Sequence, residues 1–293
     1  MSVYADPARA RADGTDRAVF PLGLSVLIHR RFPQGTHRID DAFSLNHFAD
    51  LTALHGSTHR PELARTGNTF ARMARDLLAD LPTAQPQLAV VAHTTPDLDC
   101  RLAAVTALAE LIPRQPQVFA ISDCGTAALF TALRIAADYT RRYDYRSVAV
   151  FVLDQATLPY ETGSPLSGDA GSALLFTDHN AADRVRLYRL PAVARPRVPT
   201  AVRCLLDEAG CGQGADGGRP LPLITGPGID PGAHLPGYTG RIMRAVPGYP
   251  AGGTLAALAA AAELRGGDGR VAVLDREPVT GDLGLCLIER SDR

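Results

Sequence analysis

The chain has 293 residues, 46% of them hydrophobic and 21% charged, with a net charge of −1. That balance describes a globular chain long enough for one large α/β domain or two packed halves, and the near-neutral charge gives no field that would draw nucleic acid or an anionic membrane. Its five cysteines, Cys100, Cys124, Cys204, Cys211 and Cys286, are odd in number and form no CxxC pair, which argues against a zinc ribbon or a thioredoxin-type centre and for a reduced, cytoplasmic chain with no metal.

Residues 1–17 are polar, and "MSVYADPARARADG" has no apolar h-region of a signal peptide. No apolar run is long enough to cross a bilayer. "AVFPLGLSVLI" (18–28) predicts a first strand. The stretch to about residue 60 reads as irregular, and its His37, His47, His55 and His59 are too scattered to suggest metal ligation. Over 61–80 the apolar residues Leu63, Phe70, Met73, Ala74, Leu77 and Leu78 share one helical face.

From there the pattern alternates. "QLAVVAH" (87–93) reads as a buried strand, and "DLDCRLAAVTALAELI" as a helix with Asp97 or Asp99 as its cap. "QVFAIS" is a strand, "GTAALFTALRIAADYTRRY" a helix, "SVAVFVLD" (147–154) a strand, "PYETGSPLSGDAG" a turn-rich loop and "GSALLFTD" a strand. A weaker copy follows: "DRVRLYRL" a strand, "VPTAVRCLLDEAG" a helix ended by Gly210, "GCGQGADGGRPL" a flexible insertion, and "PLPLITG" a strand. A short helix near 236–245, the helix "GGTLAALAAAAELRGG" and the strands "RVAVLD" and "LGLCLIER" close the chain. Strands alternating with helices imply mostly parallel sheets covered on both faces. The repeated order implies two related halves, 1–180 and 181–293.

Cys124 sits where a strand ends and a helix begins. Unpaired amides and the helix dipole there favour an anion, lower a thiol pKa and supply donors to a developing oxyanion. Gly125, Ala127 and Ala128 are small enough for a substrate arm to approach, whereas the adjacent Asp123 carboxylate opposes a thiolate. Cysteine is also often just a small buried residue. That reading fits Cys100, Cys204 and Cys286, set on helix or strand faces among apolar neighbours, and Cys211 in its Gly-rich loop is incidental. Asp169 in "SGDAG" reads as a turn former. The elbow Ser122-Asp123-Cys124-Gly125-Thr126 also allows a cysteine hydrolase, although such an elbow normally has glycine on both sides and only His234 is available as the late catalytic His.

The ordered series "QLAVVAHTTPDLDCRLAAVTALAEL", "ISDCGTAALFTALRIAADYTRRYDYRSVAVFVLDQA" and "SGDAGSALLF" resembles the first half of the thiolase-fold ketosynthases, of the β-ketoacyl-ACP synthase III type. The likeness is firm over about 61–177 and weaker beyond. It implies an α/β fold of five layers, αβαβα, in two pseudo-symmetric halves, and places Cys124 at the nucleophile. It further implies acyl groups delivered as coenzyme A or phosphopantetheine thioesters, an acyl carrier protein as partner, and a dimer paired through an edge strand. The departures are in the second half. The family's His falls at Gly226 or Pro227 in "PLITGPGIDPGAH", its Asn at Gly253 in "GGTLAAL", and its Gly-rich turn reads "LDREPVTGDLG". Condensation needs His and Asn for the enolate, at roughly 10²–10³ in rate per donor; acyl transfer through Cys124 needs less. His93, at the end of a strand bordering the site, and His234, farther on, are the substitute bases to consider. Two functions follow as expectations: an acyltransferase or ketosynthase-like protein loading Cys124 in polyketide or fatty-acid-like specialised metabolism, or a catalytically reduced subunit that heterodimerises with an active paralogue.

Overall fold

The computed structural model describes residues 14–290 other than 55, 64–65, 83–84, 162–165, 180–181, 212–219 and 262–268. Its strands are β1 (Asp16–Val19), β2 (Gly23–Arg31), β3 (Leu88–His93), β4 (Gln117–Ile121), β5 (Ser147–Asp154), β6 (Ala170–Thr177), β7 (Arg184–Leu190), β8 (Leu223–Thr225), β9 (Ile242–Arg244), β10 (Arg270–Arg276) and β11 (Leu283–Glu289). The helices are α1 (Ala42–Leu54), α2 (Phe70–Asp80), α3 (Ala104–Leu111), α4 (Ala128–Tyr143), α5 (Val198–Glu208), α6 (Pro231–His234) and α7 (Gly253–Ala260).

One sheet runs β2-β6-β5-β3-β4 and the other β1-β7-β11-β10-β8-β9. Leaving β1 aside, the two share one plan. β2 and β7 are antiparallel to β6 and β11, which are antiparallel to β5 and β10; these are parallel to β3 and β8, and those to β4 and β9. Both faces are buried, so the strands divide by a period of two. Val148, Val150 and Val152 of β5 and Val271 and Val273 of β10 face a central cluster with α4 and α7. Ala149, Phe151 and Leu153 face α2 and α3, whereas Ala272 and Leu274 face α5. The five layers are therefore helices, sheet, α4 with α7, sheet, helices, as the resemblance implies. In the middle layer Ala128, Ala132 and Ala136 are buried at fourfold spacing, which lets the sheets close on α4.

Several expectations are corrected. The strand read over 18–28 is two strands: β1 pairs with β7 of the other sheet and β2 with β6. Pro21 cannot donate to a ladder, and Phe20 beside it stacks on Phe176 at 3.9 Å, turning the chain between them. The "irregular" segment contains α1, started by the Asp41 carboxylate accepting from the Ser44 N–H at 3.0 Å. Only Ser44, Phe48 and Thr52 of this helix are buried, so its apolar periodicity is faint. α2 begins at Phe70, capped by Thr69, after a 3-10 turn at Pro61–Leu63. α3 begins after Ala103 rather than at Asp97 or Asp99; Asp97 instead accepts from the Phe70 N–H at 2.9 Å. Residues 236–245 hold β9 and no helix, the helical turn lying earlier at α6. The core of "GCGQGADGGRPL", 212–219, lies outside the described residues. Cys204 is exposed and Cys100 is half-exposed in a loop, whereas Cys211 is buried under α5. Burial pushes the Cys211 thiol up to about 11 and that of Cys286 up to about 12.

Candidate active site

β3, β4, β5 and β10 all end at one pole, and the turn carrying Cys124 leaves β4 there. Asp123 and Gly125 both have left-handed backbones, φ 59° and 50°, so Cys124 is presented on a sharp turn. A 3-10 turn at Gly125–Ala127 leads into α4. A Cβ at Gly125 would overlap the Glu277 carboxylate, so glycine is needed for space as well as for φ.

The Cys124 thiol is half-buried, beside the Thr131 hydroxyl and within the field of Arg189, Asp123 and Asp282. Burial pushes its pKa up. Thr131 and Arg189 pull it back, and the two carboxylates add to the rise. The net direction is opposite to that expected from the helix terminus alone. Burial is the largest cause; beside it, the donors of the turn that follows are already taken. The Thr126 N–H donates to Glu277 at 2.6 Å and its hydroxyl to the same carboxylate at 3.3 Å. Glu277 is only 7% exposed, and its carboxylate also accepts from the Val279 N–H at 3.1 Å.

Buried acids stand against Gly226 and Gly252. A Cβ at Gly226 would overlap the Asp275 carboxylate, which accepts from the Gly228 N–H at 2.9 Å and the Arg276 N–H at 2.8 Å. Asp154 accepts from the Ala251 and Gly252 amides at 2.8 and 2.7 Å, just before α7. A Cβ at Gly253 would come within 2.5 Å of the Val246 carbonyl oxygen. The two acids are counterparts: β5 ends Val152-Leu153-Asp154, and β10 carries Val273-Leu274-Asp275. Each reaches the start of the central helix of the opposite half, Asp154 at α7 and Asp275, through the Thr126 hydroxyl, at α4.

Burial outweighs the hydrogen bonds at both, pushing Asp154 up to about 6 and Asp275 up to about 7. A carboxyl whose folded pKa lies above its unfolded value contributes most below the unfolded pKa and loses that contribution as pH rises through the folded one. Stability relative to the Asp154→Asn variant therefore falls by on the order of 2–3 kcal/mol between pH 4 and 7. Denaturant titrations of both proteins at pH 4.5, 6 and 8 measure the difference; a difference that does not change with pH contradicts it.

His93 ends β3, packs on the Phe70 ring at 4.9 Å and donates from Nδ1 to the Thr95 carbonyl at 2.8 Å, leaving Nε2 as acceptor. Burial lowers its pKa, partly offset by Thr95 and Asp123. It lines a cleft of ≈ 700 Å³ with Thr52, Thr95, Tyr160, Ser122 and Asp123. The cleft reaches the two residues before Cys124; it brings His93 to Asp123 rather than to the thiol. His234 lies in the outer layer, where its Nδ1 accepts from the Asp230 N–H at 3.0 Å beside a cleft of ≈ 520 Å³ under α5. Asp169 is a buried anchor, accepting from Asn68 and the Ala156 N–H. Sequence reasoning missed Glu277, Asp275 and Asp154; the Val-Leu-Asp ending of the fourth strand in each half was the available signal. Among the described residues no group of three His, Cys, Asp or Glu side chains is set to hold a metal, and no helix is long and apolar enough to cross a membrane.

No family model matches the sequence, and no curated protein matches it. Solved structures do. The chain is similar to 3-oxoacyl-(acyl carrier protein) synthase III of Xanthomonas oryzae, with TM-score 0.58 and 12% identity over 93% of this chain and 100% of that one. It is similar to a cysteine-to-serine variant of Xanthomonas campestris OleA with bound lauric acid and lauroyl-CoA, with TM-score 0.57 and 13% identity over 92% and 99%. It is also similar to ChlB3, an acyltransferase, with TM-score 0.61 and 14% identity over 92% and 97%. The fold is the thiolase fold of these ketosynthase-like proteins, and the single-sheet hydrolase alternative is set aside.

Proposed function

We propose that the chain handles acyl thioesters, taking an acyl group onto Cys124 from coenzyme A or from the phosphopantetheine arm of an acyl carrier protein. The carrying observation is the placement of Cys124 on a left-handed turn at the start of α4, with a cleft of ≈ 700 Å³ reaching Ser122 and Asp123 beside it. The thiolate attacks the thioester carbonyl, a new C–S bond forms, the bond to the pantetheine sulfur breaks, and that sulfur leaves as a thiolate that takes up a proton. The Cys124 proton passes to solvent, because the cleft brings His93 to Asp123 rather than to the thiol. With Gly226 and Gly253 at the His and Asn positions nothing there holds an enolate, so the reading is transfer rather than condensation, in cytoplasmic polyketide or fatty-acid-like metabolism. A panel of acyl-CoAs and acyl carrier proteins, followed by intact mass and peptide mapping, tests it. An adduct on Cys124 supports the reading, and none with any donor removes it.

A second reading, a reduced subunit that completes the dimer of an active ketosynthase paralogue, is favoured by the edge strand β4. It is the last strand of its sheet. Beside it runs a ladder of rings, Phe119 to Tyr139 at 5.2 Å, Tyr139 to Tyr143 at 5.8 Å and Tyr143 to Tyr145 at 5.6 Å, with Tyr143 56% exposed. An open edge beside exposed aromatic surface invites strand pairing. Ala120→Glu on this edge is expected to convert a dimer to a monomer by light scattering, an affinity loss of about 100-fold or more from an unpaired charge at the strand interface. Wild-type chain that is monomeric alone and dimerises only when co-expressed with a complete ketosynthase decides for the subunit.

A further inference from the structure

We propose that the Glu277 carboxylate is a resident occupant of the donor site beside Cys124, and that acyl loading of Cys124 requires it to withdraw. The inference rests on the acyl-thioester reading of Cys124 and adds how that site is controlled.

Three observations carry it. The carboxylate lies over Gly125 and Thr126, the two residues that follow Cys124, leaving no room there for even a methyl group. It is held by the Thr126 amide and hydroxyl at the positive end of a 16-residue helix. An anion at that end takes up the stabilisation that a thiolate or a thioester oxyanion would otherwise draw on. Its carrier is a tight hairpin tip. Between β10 and β11 the Glu277 N–H donates to the Asp282 carbonyl at 2.8 Å and the Gly281 N–H to the Glu277 carbonyl at 2.9 Å, while Val279 at the apex is 91% exposed. Just before it, Arg276 is pinned to the Val193 carbonyl at 2.8 Å. These bonds, with the Val193 N–H donating to the Gly281 carbonyl at 2.9 Å, hold the backbone of the tip, so the part free to withdraw is the Glu277 side chain, by rotation about its own bonds while the β10–β11 ladder stays paired.

The test compares Glu277→Gln, which keeps the shape and the acceptor but not the charge, with Glu277→Ala, which empties the site. Iodoacetamide, a neutral reagent, reads the reactivity of Cys124 in the intact chain, with exposed Cys204 as internal reference. Buried Cys211 and Cys286 report any unfolding. Cys124 alkylation at pH 8 is expected to rise about tenfold in the alanine variant, where the Thr126 amide and hydroxyl are freed, and by less in the glutamine variant, which keeps an acceptor on them. Acyl loading from an acyl-CoA is expected to be fastest in the alanine variant and slowest in wild type. Asp282→Asn removes a second charge that raises the thiol pKa without touching the turn. It is expected to speed alkylation and acyl loading by the same factor, whereas Glu277→Ala is expected to speed loading by more than it speeds alkylation. Alkylation and loading at wild-type rates in both Glu277 variants, with Cys211 and Cys286 protected, overturn the proposal. Faster alkylation with no acyl adduct in any variant upholds the occupant and rejects the acyl-thioester reading instead. Equal acyl loading in all forms does the reverse.

Discussion

Cys124→Ala is expected to yield no acyl adduct with any donor, and Cys124→Ser to load on the order of 10³-fold or more slowly than wild type. The reason is local. Serine keeps the left-handed turn and nearly the same volume, but its hydroxyl ionises several units above a thiol, a gap that Thr131 and Arg189 do not close. Of the groups whose fields reach residue 124, only Arg189 is cationic, while Asp123 and Asp282 oppose an anion. The half-buried side chain lies at the rim of the central cluster, so both variants keep the wild-type melting temperature to within a few degrees. Stopped-flow or quenched loading followed by intact mass measures the rates. Because burial pushes the wild-type thiol up, loading rises with pH, about tenfold per unit, until the thiolate saturates. Serine variants that load at the wild-type rate would move the acyl group to a different residue. A flat pH profile would mean that the thiol is not the nucleophile.

The layered fold was legible because its signals are redundant. Val148 to Leu153 and Val271 to Leu274 are apolar without interruption, as strands buried on both faces must be, and the order of elements repeats. Elements supported by one weak signal were misread. α1 buries three residues, and β9 and α6 are three and four residues long, too short for any period to emerge. The crossing of β1 to the other sheet is set by Phe20 stacking on Phe176, a contact between residues far apart in sequence. At the site, the turn before α4 and its cysteine were readable. The buried acids around them were not. Asp154, Asp275 and Glu277 look like ordinary strand-end polar residues, and only the packing of one half against the other turns them inward onto amides. A sequence gives residue types and local spacing; what a buried carboxylate accepts from depends on the opposite half.

Phe130→Ala is expected to destabilise the protein by about 3–5 kcal/mol, lowering the melting temperature by roughly 10 °C. Phe130 is 6% exposed, and its ring lies against the backbone of β11 at Gly284, where a Cβ would overlap it. This contact ties the nucleophile helix to the second sheet, so truncation leaves a cavity against a rigid strand that cannot collapse into it. Gly284→Ala is the converse, an overpacked contact costing about 1–3 kcal/mol. The pair must couple, because the added methyl group and the lost ring compete for one volume. In the Phe130→Ala background the Gly284→Ala change is therefore expected to be neutral or stabilising, a coupling of at least about 1 kcal/mol in a double-mutant cycle. Strictly additive effects in denaturant titrations would show that the ring does not rest on the strand, and the seating of α4 between the sheets would need revision. The same cycle read by Cys124 alkylation reports on function. If the helix is held in place by this contact, the single variants alter the thiol's reactivity and the double variant restores it, since the turn that carries Cys124 is tied to the end of β10 through Thr126 and Glu277.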